Sequence, residues 1–224
     1  MAEVVPAVII KNLFHAREML DKVTGLVRKA QIDIVDGEYA ETVTWPFASK
    51  DQGDELFQMI RNEEKFPFSK EIDLELDMMV LHPIERIADF LDLGFKSFII
   101  HIDSTDHVRE CIDTVRSAGQ TAGLGIRPSV DIDLLTPYLP DVQFVQFMGN
   151  DRIGHNGVEL DPKVLDKIKA FHETHPSMRL QIDIGVNFET AKSLVDAGIQ
   201  SLVSTSAIYT SPDIKKAIQD LQNI

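Results

Sequence analysis

A chain of 224 residues with 44% apolar and 26% charged side chains can bury a full core, which excludes disordered and fibrous classes; the length suits one α/β barrel domain spanning 1–224. The formal net charge of −14 sets the surface against polyanions, so nucleic acid is excluded as a partner, and a small phosphorylated ligand must be held by local N–H donors against the overall field. Cys111 is the only cysteine, which rules out an intrachain disulfide and any two-cysteine zinc or redox motif. The apolar run 4–10 is too short for a signal or a membrane span, so no membrane partner is expected and the cytoplasm is the expected location.

Residues 4–10 are β-branched and read as a strand, with Asn12 placed as N-cap of a helix carrying Leu13, Ala16, Met19, Leu20, Val23 and Val27 at helical spacing. A second strand, 31–35, leads through a polar and aromatic connection to a helix opened by Asp54. The third strand is 72–80 with a helix at 83–93, and the fourth is 97–103 with a helix at 106–118. The fifth, 121–126, precedes Pro128 and a short helix near 131–138; the sixth, 142–148, precedes a helix of about 162–172. The seventh is 178–184 with a helix at 187–197, and the last pair is 199–203 and 212–221. Eight alternations without a linker predict a closed parallel (β/α)8 barrel of the TIM-barrel class. An open doubly wound sheet is the alternative, but no glycine-rich dinucleotide fingerprint follows the first strand.

Strands covered on both faces should be continuously apolar, yet several here alternate. Gln31 and Asp33 oppose Ile32 and Ile34; Glu75 and Asp77 oppose Leu74, Leu76 and Met78. His101 and Asp103 oppose Phe98, Ile100 and Ile102, and Gln181 and Asp183 oppose Leu180, Ile182 and Ile184. If the apolar faces pack on helices, the polar faces converge on the barrel interior and its C-terminal mouth. Unpaired carboxylates crowded there repel one another, a cost tolerated where a metal, a shared proton or a substrate compensates. Asp33 and Asp183 are the foremost candidates, then Asp77; Glu75 and Asp103 are read as pairing with neighbours, and His101 as a core histidine beside an acid. Gly154 and Gly157 after the sixth strand, Gly185 after the seventh and Ser204, Thr205 and Ser206 after the eighth stand where barrels bind phosphate.

Nearly the whole chain resembles ribulose-phosphate 3-epimerases. Residues 31–37 are similar to that family's H-x-D-x-M-D-G, residues 77–80 to H-L-M-V, and 98–103 to a strand ending in H-x-E. Residues 123–128 are similar to G-L-A-I-K-P, 182–186 to V-D-G-G-V and 203–208 to V-S-G-S-A-I. The resemblance implies inversion of C3 of a ketopentose phosphate through an enediolate, with the catalytic aspartates falling on Asp33 and Asp183 and a pocket methionine on Met79. It also implies a homo-oligomer.

The departures are specific. The family's metal-binding histidines are replaced by Gln31 and Asp77, an early serine by Ile10, the first glycine of D-G-G by Ile184, and G-F-G-G-Q by Gly154-His155-Asn156-Gly157-Val158. Gln31, Asp33, Asp77 and Asp183 would form an oxygen-rich metal site favouring Mg or Mn over Zn; alternatively the site is metal-free and amide and protonated-acid donors hold the enediolate. Epimerisation of another ketose phosphate, such as a hexulose 6-phosphate, and a barrel that binds a phosphorylated sugar without turnover are the competing functions.

Overall fold

The computed structural model describes residues 2–224. Eight parallel strands, β1 (Glu3–Ile9), β2 (Lys29–Val35), β3 (Asp73–Met79), β4 (Ser97–His101), β5 (Thr121–Ile126), β6 (Phe144–Met148), β7 (Arg179–Asp183) and β8 (Ser201–Ser204), pair in chain order, and β8 closes on β1. The register sets Asp33 beside Asp77 and Met148 beside Asp183, so the acids of β2, β3 and β7 reach the same end of the barrel.

The outer helices are α1 (Leu13–Asp21), α2 (Lys50–Arg61), α3 (Ile87–Asp92), α4 (Val108–Ser117), α5 (Lys163–Thr174), α6 (Ala191–Asp196), α7 (Ser206–Tyr209) and α8 (Ile214–Gln222). Asn12 caps α1 as expected, its side chain accepting from the His15 N–H at 2.8 Å. The second helix starts earlier than expected, because Ser49 rather than Asp54 is its N-cap. The helix expected near 131–138 is replaced by two 3-10 turns, Ile132–Leu135 and Leu139–Asp141. Pro137 and Pro140 account for this, since each lacks an N–H and disfavours helical geometry in the preceding residue.

The alternation in the strands has the anticipated consequence. Ile32, Ile34, Leu74, Leu76, Met78, Phe98, Ile100, Leu180 and Ile182 belong to the main apolar core between sheet and helices. Ile10 joins the same core, so the position of the early serine is spent on packing. The opposite parity faces inward, as contacts between strands that are not neighbours require: Gln181 on β7 reaches both Glu75 on β3 and Gln31 on β2.

Candidate active site

The barrel interior carries a column of polar side chains that begins at its N-terminal floor. Lys29 Nζ lies 2.7 Å from Glu75 Oε2 and 5.3 Å from the Phe144 ring centre, a paired and mostly buried charge. Gln181 Nε2 donates to Glu75 Oε1 and to Gln146 Oε1, both at 2.7 Å. Gln146 Nε2 donates to Asp77 Oδ2 at 2.9 Å, and His101 Nε2 meets Asp77 Oδ1 at 2.8 Å. The ring of His101 lies over Gly125, where a Cβ would come within 2.9 Å of Nδ1, so glycine is what admits the imidazole. His101 is thus the core histidine beside an acid, and Glu75 is paired with a neighbour.

At the top of the column Gln31 Nε2 donates to Asp33 Oδ1 at 2.8 Å and reaches Asp183 Oδ2 at 3.5 Å. Asp183 also accepts from the Ile184 N–H at 2.8 Å. Burial pushes the Asp33 carboxyl well above the usual carboxylate range, and repulsion from Asp183 and Asp77 adds to it. Asp183 is pushed up to about 7, chiefly by burial and then by Asp77. Two such acids titrate as a unit, and burial and the neighbouring acids push both toward the protonated form. Among the described residues, neither acid has a cationic side chain within salt-bridge distance.

A cavity of about 140 Å³ opens above this pair, lined by Asp33, Asp183 and Met79 on one side and by the loops after β6, β7 and β8 on the other. Gly154, Gly157, Gly185, Ser204, Thr205 and Ser206 all line it, so every residue expected at the phosphate end falls in one place. Their hydroxyls are not equivalent. Ser204 donates to the Val186 carbonyl at 3.0 Å and Thr205 to the Ala7 carbonyl at 2.9 Å, which leaves Ser206 as the hydroxyl free to donate into the cavity. Gly185 has φ 75° and the Leu160 backbone 2.6 Å from where a Cβ would sit, so only glycine fits there. Its neighbour Ile184 also has φ 75°, a left-handed conformation that is an outlier for a β-branched residue. Ile184 packs on the cluster of Val35, Met79, Met148 and Ile153, of which Met79 lines the cavity with it.

The far side of the mouth is closed by side chains. Asp36 takes the N–H groups of Glu38, Tyr39 and Leu81, shaping the loop after β2. That loop carries Tyr39 over His101, with ring centres 5.3 Å apart, and the Tyr39 hydroxyl donates to Asp103 at 2.6 Å. Arg127 pairs with Asp103, so it is bound within the mouth rather than free for an anion. Burial pushes Asp103 up, but the hydrogen bonds from Tyr39 and Arg127 outweigh it and hold the carboxyl below its usual range. Tyr39 and Gln146 carried no chemical motif in the sequence. The parity of Gln146 with Phe144 and Met148 was the one signal available for it.

Asp33, Asp77 and Asp183 each place a carboxylate oxygen within 4.8 Å of the others, close enough for one cation to touch all three. The fourth expected donor does not suit one: Gln31 turns its amide nitrogen, not its oxygen, to the acids. The Gln31 oxygen faces Gln181 Nε2 at 3.4 Å.

The fold and the site define a parallel (β/α)8 barrel with an acidic centre at its C-terminal mouth. The chain belongs to the ribulose-phosphate 3 epimerase family, whose sequence model matches residues 3–209. It is 25% identical to the ribulose-phosphate 3-epimerase of Bacillus subtilis (strain 168), over 99% of both chains. It is 26% identical to that of Escherichia coli (strain K12), over 85% of this chain and 81% of the relative. Among solved structures, 3-hexulose-6-phosphate synthase from Salmonella typhimurium superposes with TM-score 0.68 at 14% identity, covering 99% of this chain and 97% of that one. KGPDC from Streptococcus mutans gives 0.67 at 13%, covering 100% and 96%. These two likenesses concern the fold alone. No helix among the described residues is long and apolar enough to cross a membrane.

Proposed function

We propose that this chain interconverts D-ribulose 5-phosphate and D-xylulose 5-phosphate by proton transfer at C3. The observation that carries the reading is the acid pair: Asp33 and Asp183 come from strands far apart in the chain, share the Gln31 amide, face one cavity and are both pushed toward the protonated form by burial and neighbouring acids. The ionised aspartate removes the C3 proton, and the electron pair passes into the enediolate. The protonated aspartate then delivers its proton to the opposite face of C3. The pair ends with one proton, now on the other carboxyl, so the same two groups serve the reverse reaction, and the bound epimer determines which acts first. A well-placed acid or base contributes roughly 100- to 10,000-fold.

The substrate phosphate lies among Gly154, Gly157, Gly185 and Ser206, where glycines let backbone N–H groups approach and the first turn of α7 has N–H groups without helical partners. Ser204 and Thr205 hold that loop through their carbonyl bonds, and Met79 packs against the carbon chain. The test is proton exchange: D-ribulose 5-phosphate incubated with the protein in D2O should gain deuterium at C3 by NMR, and Asp33→Asn or Asp183→Asn should stop formation of the C3 epimer. Saturable binding without exchange would replace this reading with a non-catalytic phosphosugar-binding barrel. Faster exchange on a hexulose 6-phosphate would keep the chemistry and change the substrate.

A further inference from the structure

We propose that the acidic centre binds no divalent cation and that the Gln31 amide stands in its place, oriented from the barrel floor. This rests on the epimerase reading only for what the centre does; the statement about binding rests on the donor set.

The orientation is dictated step by step. Glu75, paired to Lys29 at 2.7 Å, offers only lone pairs to its other neighbours. Gln181 must therefore turn its N–H2 to Glu75, and its second hydrogen is shared between Gln146 Oε1 at 2.7 Å and Gln31 Oε1 at 3.4 Å. Gln146, accepting through its oxygen, can only donate upward to Asp77. Gln31 meets the Gln181 nitrogen with its own oxygen, so its N–H2 faces Asp33 and Asp183. Turning Gln31 over to offer oxygen to a cation would set one N–H2 group against another inside a dry barrel, a cost the Lys29–Glu75 pair makes unavoidable.

No imidazole compensates. The Nδ1 of His101 is buried without a partner, but it lies against Gly125 on the wall rather than toward the acids. A cation among the acids would meet the amide hydrogens of Gln31 where a fourth oxygen ligand would have to stand. Gln31 is thus a positioning residue: it donates to Asp33 at hydrogen-bond distance and reaches Asp183, placing partial positive charge where a metal would have placed a full one.

The experiment is metal analysis of the whole protein purified without chelators, together with calorimetric titration by Mn²⁺, Mg²⁺ and Zn²⁺. Content far below one ion per chain and no saturable binding are expected, with C3 exchange unchanged by EDTA. The isosteric Gln31→Glu replaces the donor by an oxygen and should gain Mn²⁺ affinity by roughly tenfold or more, with an unchanged circular dichroism spectrum. One ion per chain in the unmodified protein, or saturable Mn²⁺ binding of equal affinity by it and by Gln31→Glu, would overturn the proposal. Should the protein exchange no ketose phosphate at all, the metal measurements still decide this question, so the two failures are distinguishable.

Discussion

Glu75 at the floor of the barrel and Asp183 at its mouth are both buried carboxylates on the inner face, yet they live under opposite rules. Glu75 has the Lys29 ammonium at 2.7 Å and an amide donor on its other oxygen. Asp183 has a backbone N–H, a distant amide and two further acids, and its pKa moves up to about 7. Compensated charge is what a structural position requires; uncompensated charge is what keeps a proton mobile near neutral pH.

The largest expected effect breaks the mouth. Asp33→Asn or Asp183→Asn should lower epimerisation at C3 at least 100-fold, and by as much as roughly 10,000-fold. The same change should stabilise the fold at neutral pH. A carboxyl whose folded pKa is raised binds its proton more tightly in the native state, so stability is full below the unfolded value near 4 and is lost as pH rises through about 7. Asn cannot ionise, so denaturant unfolding of Asp183→Asn should match the parent near pH 4 and exceed it by a few kcal/mol at pH 8, at ~1.4 kcal/mol per unit of pKa displaced.

The floor should answer in the opposite sense. Lys29→Met leaves Glu75 buried without its cation and should cost roughly 3–5 kcal/mol in denaturant unfolding, whereas Lys29→Met with Glu75→Leu should recover most of that loss. A double variant as unstable as the single would mean that packing around Phe144, not charge, sets the floor's contribution.

The pH profile sharpens the contrast without a mutation. An ordinary carboxylate base would keep kcat/KM level down to about pH 4. With Asp183 pushed up to about 7, its ionised form is lost below that value and the acid limb of kcat/KM should move there. A limb near pH 4 would show that burial and repulsion do not raise the catalytic carboxyl in the free enzyme.

How much of this was legible in the sequence follows the same division. The mouth could be read because Asp33, Asp77 and Asp183 interrupt strands that should be apolar, and a strand's two-residue period fixes which way they point. The floor could not, because Lys29 precedes the β-branched run and its pairing with Glu75 depends on the register of β2 against β3. Gln146 stood alone in an apolar strand, and its part in orienting the column appears only when β6 and β3 face each other across the barrel. The prolines that break the segment after β5 were visible, but the apolar spacing around them still suggested a helix. Hydroxyl commitments such as those of Ser204 and Thr205 depend on loop geometry that no local pattern encodes.

Ile184 joins the acid pair to the cavity wall, and it carries the smallest expected effect. The family motif has glycine there, where φ 75° is free; isoleucine adopts it at a cost of about 1–3 kcal/mol, offset by burial against Met79 and Met148. Ile184→Gly removes the strain but also removes that burial and adds freedom to the unfolded chain, so the melting temperature should move by only a few degrees. The geometric consequence is more direct. The side chain lines the cavity beside Asp183, so its loss widens the space next to the reacting carbon. KM for a hexulose 6-phosphate should fall relative to that for ribulose 5-phosphate, while Gln31, Asp33 and their hydrogen bonds stay in place. An unchanged ratio would mean that the loops after β6 and β8, and not this residue, set the length of sugar the site accepts.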